Sequence, residues 1–306
     1  MKKIFYSAFG VLLASAALLT GCKSDKGPQD LLGQGSGASG QKDTTVASTR
    51  VKSIRGVFYN IPSALEISQL LKESGAKYSE TYPSNPDDAS KYSSQKGQSV
   101  NLGIYAADLS YAGIYEQKEE AMLYLKCANQ LATSLGIPNA FNESTIGRIQ
   151  DNMNNQDSLL AIITQDYWNT DSYLKNSDRQ ETSALIMAGG WIEGFYIATQ
   201  IATHSTGNQQ LFNRIAEQKA SLNQLVSLVN TYPDDATTQT IKGQLKKIQD
   251  AYSGISIDNG KVQVANDTSK NTSTLKGEEK VLMTTEQLKN LADVTASVRK
   301  DIVTEY

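Results

Sequence analysis

A chain of 306 residues, with 29 basic against 32 acidic residues, has room for one large domain or two small ones. It carries no basic stripe that would mark a nucleic-acid partner. One histidine, His204, and two cysteines, Cys22 and Cys127, are too few for a standard zinc site, and no other metal or cofactor motif is present.

The chain begins with Lys2-Lys3 and an apolar run from Ile4 to Leu18. The run is too short and too rich in small residues for a membrane span, but it has the form of a secretory signal core. It closes on Leu19-Thr20-Gly21-Cys22. This ending resembles a bacterial lipobox. The resemblance implies that residues 1–21 are a signal peptide and that Cys22 becomes the first residue of a lipoprotein. Its sulfur and new amino terminus would then carry two or three acyl chains, palmitate among them, enough for stable anchoring in a membrane. In such lipoproteins an Asp after the Cys favours retention at the inner membrane, so Lys23 implies the cell outer membrane. Loss of Lys2 and Lys3 leaves 27 basic against 32 acidic residues. With Cys22 acylated, Cys127 has no disulfide partner. In the pattern Leu123-Leu125-Cys127-Leu131 it reads as a small buried hydrophobe.

Residues 22–55 comprise the acylated Cys and a tether typified by Gly33-Gln34-Gly35-Ser36-Gly37. A flexible segment of about 30 residues has a reach on the order of 30 Å. A helical body is expected over 56–252. Ser63-Ala64-Leu65-Glu66 is a capping box that opens its first helix. The polar segment 79–98, with Pro83 and Pro86, reads as a loop or short helix. Period-3.6 patterns then predict helices over 99–115, 118–135, 142–153, 155–175, 181–204, 208–231 and 235–252. The breaks fall at Gly136-Ile137-Pro138, at Gly207-Asn208 and at Tyr232-Pro233-Asp234-Asp235, where Pro and two acids favour a helix start. The run 184–203 is long enough to span a membrane. Glu193 at its centre would cost about 2–3.5 kcal/mol there, so the run is assigned to the body.

Residues 253–306 close the chain. Alternation on both sides of Asn259-Gly260 predicts a β-hairpin near 255–264. The polar stretch 265–280 reads as loose. Thr284 and Gln287 form a second capping box, which opens a C-terminal helix striped by Leu288, Leu291, Val294, Val298 and Ile302. The expected fold is mainly α: an antiparallel helical bundle or short helical-repeat stack with a small hairpin and a C-terminal helix. Paired matches such as Gln130-Leu131 with Gln224-Leu225 and Pro138 with Pro233 suggest an internal duplication of 99–153 and 181–252.

Two acids interrupt otherwise apolar helices. Asp108 shares a face with Tyr105, Tyr111, Ala112 and Tyr115, and Glu193 shares a face with Gly189, Gly190 and Ile197. Glycines on such a face permit close backbone approach. A carboxylate in these surroundings must find donors, water or a proton. One reading is a polar pocket lined by Asp108, Tyr111, Glu193 and Tyr196, suited to a sugar, a cation or a peptide amine. Another is that the acids bond Tyr hydroxyls, Arg148 or backbone ends and fix helix register. A third places both acids on the wet side. His204, near a helix end, reads as a capping or surface residue, and no nucleophile elbow or phosphate loop is present. The leading expectation is a non-enzymatic, lipid-anchored envelope protein that presents a helical surface to an envelope protein or a small-molecule ligand. The alternatives are an envelope hydrolase using Asp108 and Glu193 as acid and base, or a structural accessory subunit of an envelope complex.

Overall fold

The computed structural model describes residues 64–305, except 138, 139, 141, 206, 233–235, 259–262, 268–271 and 277–279. The signal and tether, the Ser63 cap, the Pro233 helix start and the Asn259-Gly260 turn lie outside the described residues.

The described residues are mainly helical. In chain order they form α1 (Ala64–Glu73), a 3-10 turn (Pro86–Lys91), α2 (Gln95–Ile114), α3 (Lys118–Ser134), α4 (Glu143–Asp151) and α5 (Gln156–Asn176). There follow α6 (Gln180–Thr203), α7 (Gln209–Val229), α8 (Ala236–Ala251) and, at the end, α9 (Thr285–Glu305). Side-chain caps fix several starts. Asn142, Asn155 and Asn208 accept from the backbone N–H groups of Thr145, Ser158 and Leu211 at 2.9, 3.0 and 3.1 Å. Thr284 and Gln287 form the expected reciprocal box, at 2.8 and 3.2 Å. Helix α2 begins four residues before the expected position 99, because Ser94 caps it by accepting from Gly97 N–H at 3.0 Å.

Helices α2 and α6 are the centre of the body. Sixteen of the twenty α2 residues are buried, so this helix has almost no solvent face. Helix α6 is buried on the same scale, which makes the apolar run 184–203 core; no helix among the described residues is long and apolar enough to cross a membrane. The two helices meet backbone to backbone. A Cβ placed on Gly103 would lie 1.9 Å from Ile186 O, and one on Gly189 would lie 2.0 Å from Val100 O. On one side of this pair, Leu125, Leu131, Ile149 and Leu159 of α3–α5 form one apolar cluster. On the other, Leu222, Ile248 and Val298 of α7–α9 join α1 in a second cluster. Each of the two sequence halves compared above thus supplies one central helix, α2 or α6.

The hairpin expected at 255–264 does not form. Strand β1 (Ser256–Asp258) pairs antiparallel with β4 (Lys280–Leu282), and β2 (Gln263–Asp267) pairs with β3 (Thr272–Lys276). Ile257 faces Val281 and Val264 faces Leu275. The alternation was therefore a strand signal, but the partner lies in and beyond the stretch read as loose. That stretch contains Thr272 and Thr274, whose branched Cβ atoms favour extended backbone despite their polarity.

Candidate functional site

Asp108 on α2 and Glu193 on α6 are both fully buried, which removes the reading that places them on the wet side. The cation that meets them is Arg299 of α9. Its Nε donates to Glu193 Oε2 at 2.9 Å, and its Nη2 donates to Oε1 at 3.1 Å. This bidentate geometry is the strongest form of a charge-assisted hydrogen bond. Nη2 also donates to Ser84 Oγ at 2.7 Å, and the Ser84 backbone N–H donates to Asp108 Oδ2 at 3.1 Å. One chain of polar contacts therefore links α2, the segment before the 3-10 turn, α6 and α9. The Arg299 guanidinium also lies over the Tyr196 ring, 5.1 Å from its centroid, within cation–π range.

Two carboxylates share one guanidinium here. Burial, and then the neighbouring Glu193 charge, push the Asp108 pKa well above the ordinary carboxylate range; Arg299 and the Ser84 bonds oppose this less strongly. Burial works against the Arg299 charge, but Glu193 and then Asp108 more than offset it and hold the guanidinium pKa above its usual value. The charge balance is a Glu193–Arg299 ion pair beside an Asp108 that favours its neutral form. Asp108 Oδ1 has no hydrogen-bond partner among the described residues.

Tyrosines hold the loop around this network. The Tyr105 hydroxyl donates to Asn85 O at 2.8 Å, and the Asn85 side chain caps the 3-10 turn at Asp87 N–H, 3.1 Å away. Tyr82 sits edge-on to Tyr196 at 6.2 Å. Its hydroxyl lies 3.3 Å from Nδ1 of His204, the C-cap of α6.

Of the four residues singled out from sequence, Asp108, Glu193 and Tyr196 come together. Tyr111 goes elsewhere: its hydroxyl accepts from Ser79 N–H at 2.8 Å, and its ring stacks on Tyr78 at 4.9 Å. Burial pushes its phenol pKa up to about 12. Arg148, considered as a partner for the acids, is exposed on α4. Sequence reasoning missed Ser84 and Arg299. A signal for Arg299 was present: it follows Ala292 by seven residues and Thr295 by four, both fully buried, so it stands in the inward stripe of α9.

Neither acid lines the cavity between α8 and α9 at Gln239 and Asp301, the one beside α3 and α4 at Thr133 and Glu143, or the one between α1, α2, α5 and α6 at Leu65 and Trp191. The arrangement joins helices, and no substrate-sized space opens onto it from these cavities. Compared with known protein families, curated proteins and solved structures, the chain matches none.

Proposed function

We propose that this chain is a lipid-anchored cell-envelope protein, acylated at Cys22 and held at the outer membrane, whose helical body binds rather than catalyses. The observation that carries the anchor is Leu19-Thr20-Gly21-Cys22 behind a basic start and a short apolar run. Support for a non-catalytic body comes from the two buried acids. Glu193 is held on both oxygens by Arg299, so using it as an acid or base would mean breaking a desolvated ion pair. Asp108 is tied to Ser84 N–H and is fully buried.

The test is metabolic labelling with an alkynyl palmitate in a bacterial host, for the parent and Cys22→Ala. The parent takes up label and sediments with membranes. Cys22→Ala takes up none and remains as uncleaved precursor. Equal labelling of both chains would overturn the anchor. Hydrolysis of an envelope glycan or peptide that disappears in Glu193→Gln, with the fold intact, would restore the hydrolase.

A further inference from the structure

The apolar groove between α1, α2, α5 and α6 stands where the described chain begins. Its volume is about 490 Å³. Leu102, Ile163, Ile186 and Met187 line it, and Trp168, 37% exposed, stands on the same lining. A tryptophan this open on an apolar lining marks surface that a further contact would take out of water. Ala64 and Leu65, the first two residues of α1, line the groove as well. The chain that precedes α1 therefore arrives at this groove.

The sequence that arrives there differs from the tether. Val57-Phe58-Tyr59-Asn60-Ile61 is apolar or aromatic at every position but Asn60, and Phe58 is the first aromatic residue after Phe9. Such a cluster is costly to leave in water. Val57 lies seven positions before Ala64, a span of at most about 24 Å even when fully extended. Tethering at this range holds the cluster at an effective concentration on the order of millimolar beside the groove. The charges are complementary too. The charged residues of the lining, Glu66 and Asp166, are acidic, and the charged residue next to the cluster is Arg55.

We infer that residues 57–61 dock in the groove between α1, α2, α5 and α6, so that the chain covers this face of the body with its own segment. Any other ligand or partner enters the groove only by displacing that segment. The inference does not depend on acylation of Cys22. The experiment is limited chymotrypsin digestion of the full chain, with the fragments weighed by mass spectrometry. Phe58 and Tyr59 are preferred sites for this protease, and Leu31 and Leu32 serve as internal reference. Cutting reports how often each site is open to the protease. A second experiment places thiols in pairs. Val57→Cys, Phe58→Cys, Tyr59→Cys and Ile61→Cys are each combined with Ala106→Cys on the groove lining and oxidised with copper phenanthroline.

In the parent, cuts after Phe58 or Tyr59 should be at least about tenfold slower than cuts after Leu31 or Leu32, the reverse of the protease's own preference. Ala106→Phe, at a half-buried position on the lining, fills the groove and should make Phe58 and Tyr59 the fastest of the four sites. The thiol pairs give a reading that does not need this bulkier variant to fold. One or two of the four should close an internal disulfide about tenfold faster than the rest, because the bond demands a specific approach. It is seen as a faster-migrating band that a reductant removes. Ala106→Cys alone should give no such band, nor should Phe58→Cys with Gly243→Cys on α8, which packs on α7 and α9. The inference is overturned if Phe58 and Tyr59 are cut as readily as Leu31 in the parent, or if a folded Ala106→Phe keeps them protected. It is overturned equally if no pair closes internally, or if all four close at one rate, as a loose chain would. A band of doubled mass in place of the internal one would give the groove to a second copy. Palmitate labelling at Cys22 reads other residues, so failure of the anchor and failure of the docking are told apart.

Discussion

At the scale of single residues, Arg299 decides whether two acids can stay in the core. Its side chain is 17% exposed and that of Glu193 is 0% exposed, so the pair has little water to fall back on. Replacing Glu193 by Gln leaves the guanidinium facing a neutral amide. The expected loss is about 3 kcal/mol, since removing one partner strands the other charge. For a body of this size that lowers the melting temperature by on the order of 10 °C by calorimetry. A drop of only a degree or two would mean that the pair is solvated in solution. Asp108→Asn should behave differently, because it copies the neutral form that the site already favours and keeps an acceptor for Ser84 N–H. The sign with pH follows from the raised pKa. The folded chain holds a proton that the unfolded chain releases above about pH 4. The Asp108 contribution to parent stability therefore falls as pH rises from that point toward the folded pKa. Urea melts should show the variant gaining on the parent across this window, and a gap that stays constant with pH would refute the argument. The acids themselves were legible in sequence, because a charge amid Ala, Gly and Tyr is conspicuous. Their partners were not. Arg299 lies 106 positions from Glu193 and 215 from Ser84, and no local pattern reports contacts at such range.

At the scale of elements, the crossing of α2 and α6 depends on missing side chains. Gly103→Ala or Gly189→Ala puts a methyl group about 2 Å from a backbone carbonyl, which cannot rotate away. Separating two central helices should cost about 3 kcal/mol or more. The internal control is Gly147→Ala in α4 or Gly243→Ala in α8, where an added Cβ meets nothing within 4 Å. There, higher helix propensity should raise stability by about 0.5–1 kcal/mol. Denaturant midpoints for the four variants test the contrast, and a similar shift in all four would count against backbone contact at the crossing. The helices were readable from sequence because their signals are local: a 3.6-residue period and caps such as Thr284 with Gln287. The early start of helix α2 was missed because Gln95–Gln98 is polar on every side, which hid the Ser94 cap. Strand β1 and the start of β2 were readable as strands, but β3 and β4 were not, and neither were the pairings. Pairing is a long-range choice, and Ile257 meets Val281 across more than twenty residues.

At the scale of the whole molecule, an anchor at Cys22 and a body with its own core make separable claims. Cys22→Ala should abolish acylation and leave the cooperative melt of the body unchanged, measured in the same buffer. A body destabilised by this change would show that the N-terminal residues contribute to its fold. The placement of Arg299 has a consequence of another kind. It lies on the last helix, so it is the last charged member of the network to be synthesised, and the first to be lost when a chain is cut short. Until α9 docks, Glu193 lacks the Arg299 guanidinium and the faces of α6 and α8 that α9 covers stay open. A chain that ends before residue 299 must either bury a lone carboxylate or leave its centre exposed to proteases. The ion pair thus acts as a check on synthesis through α9: only a chain made past residue 299 can close.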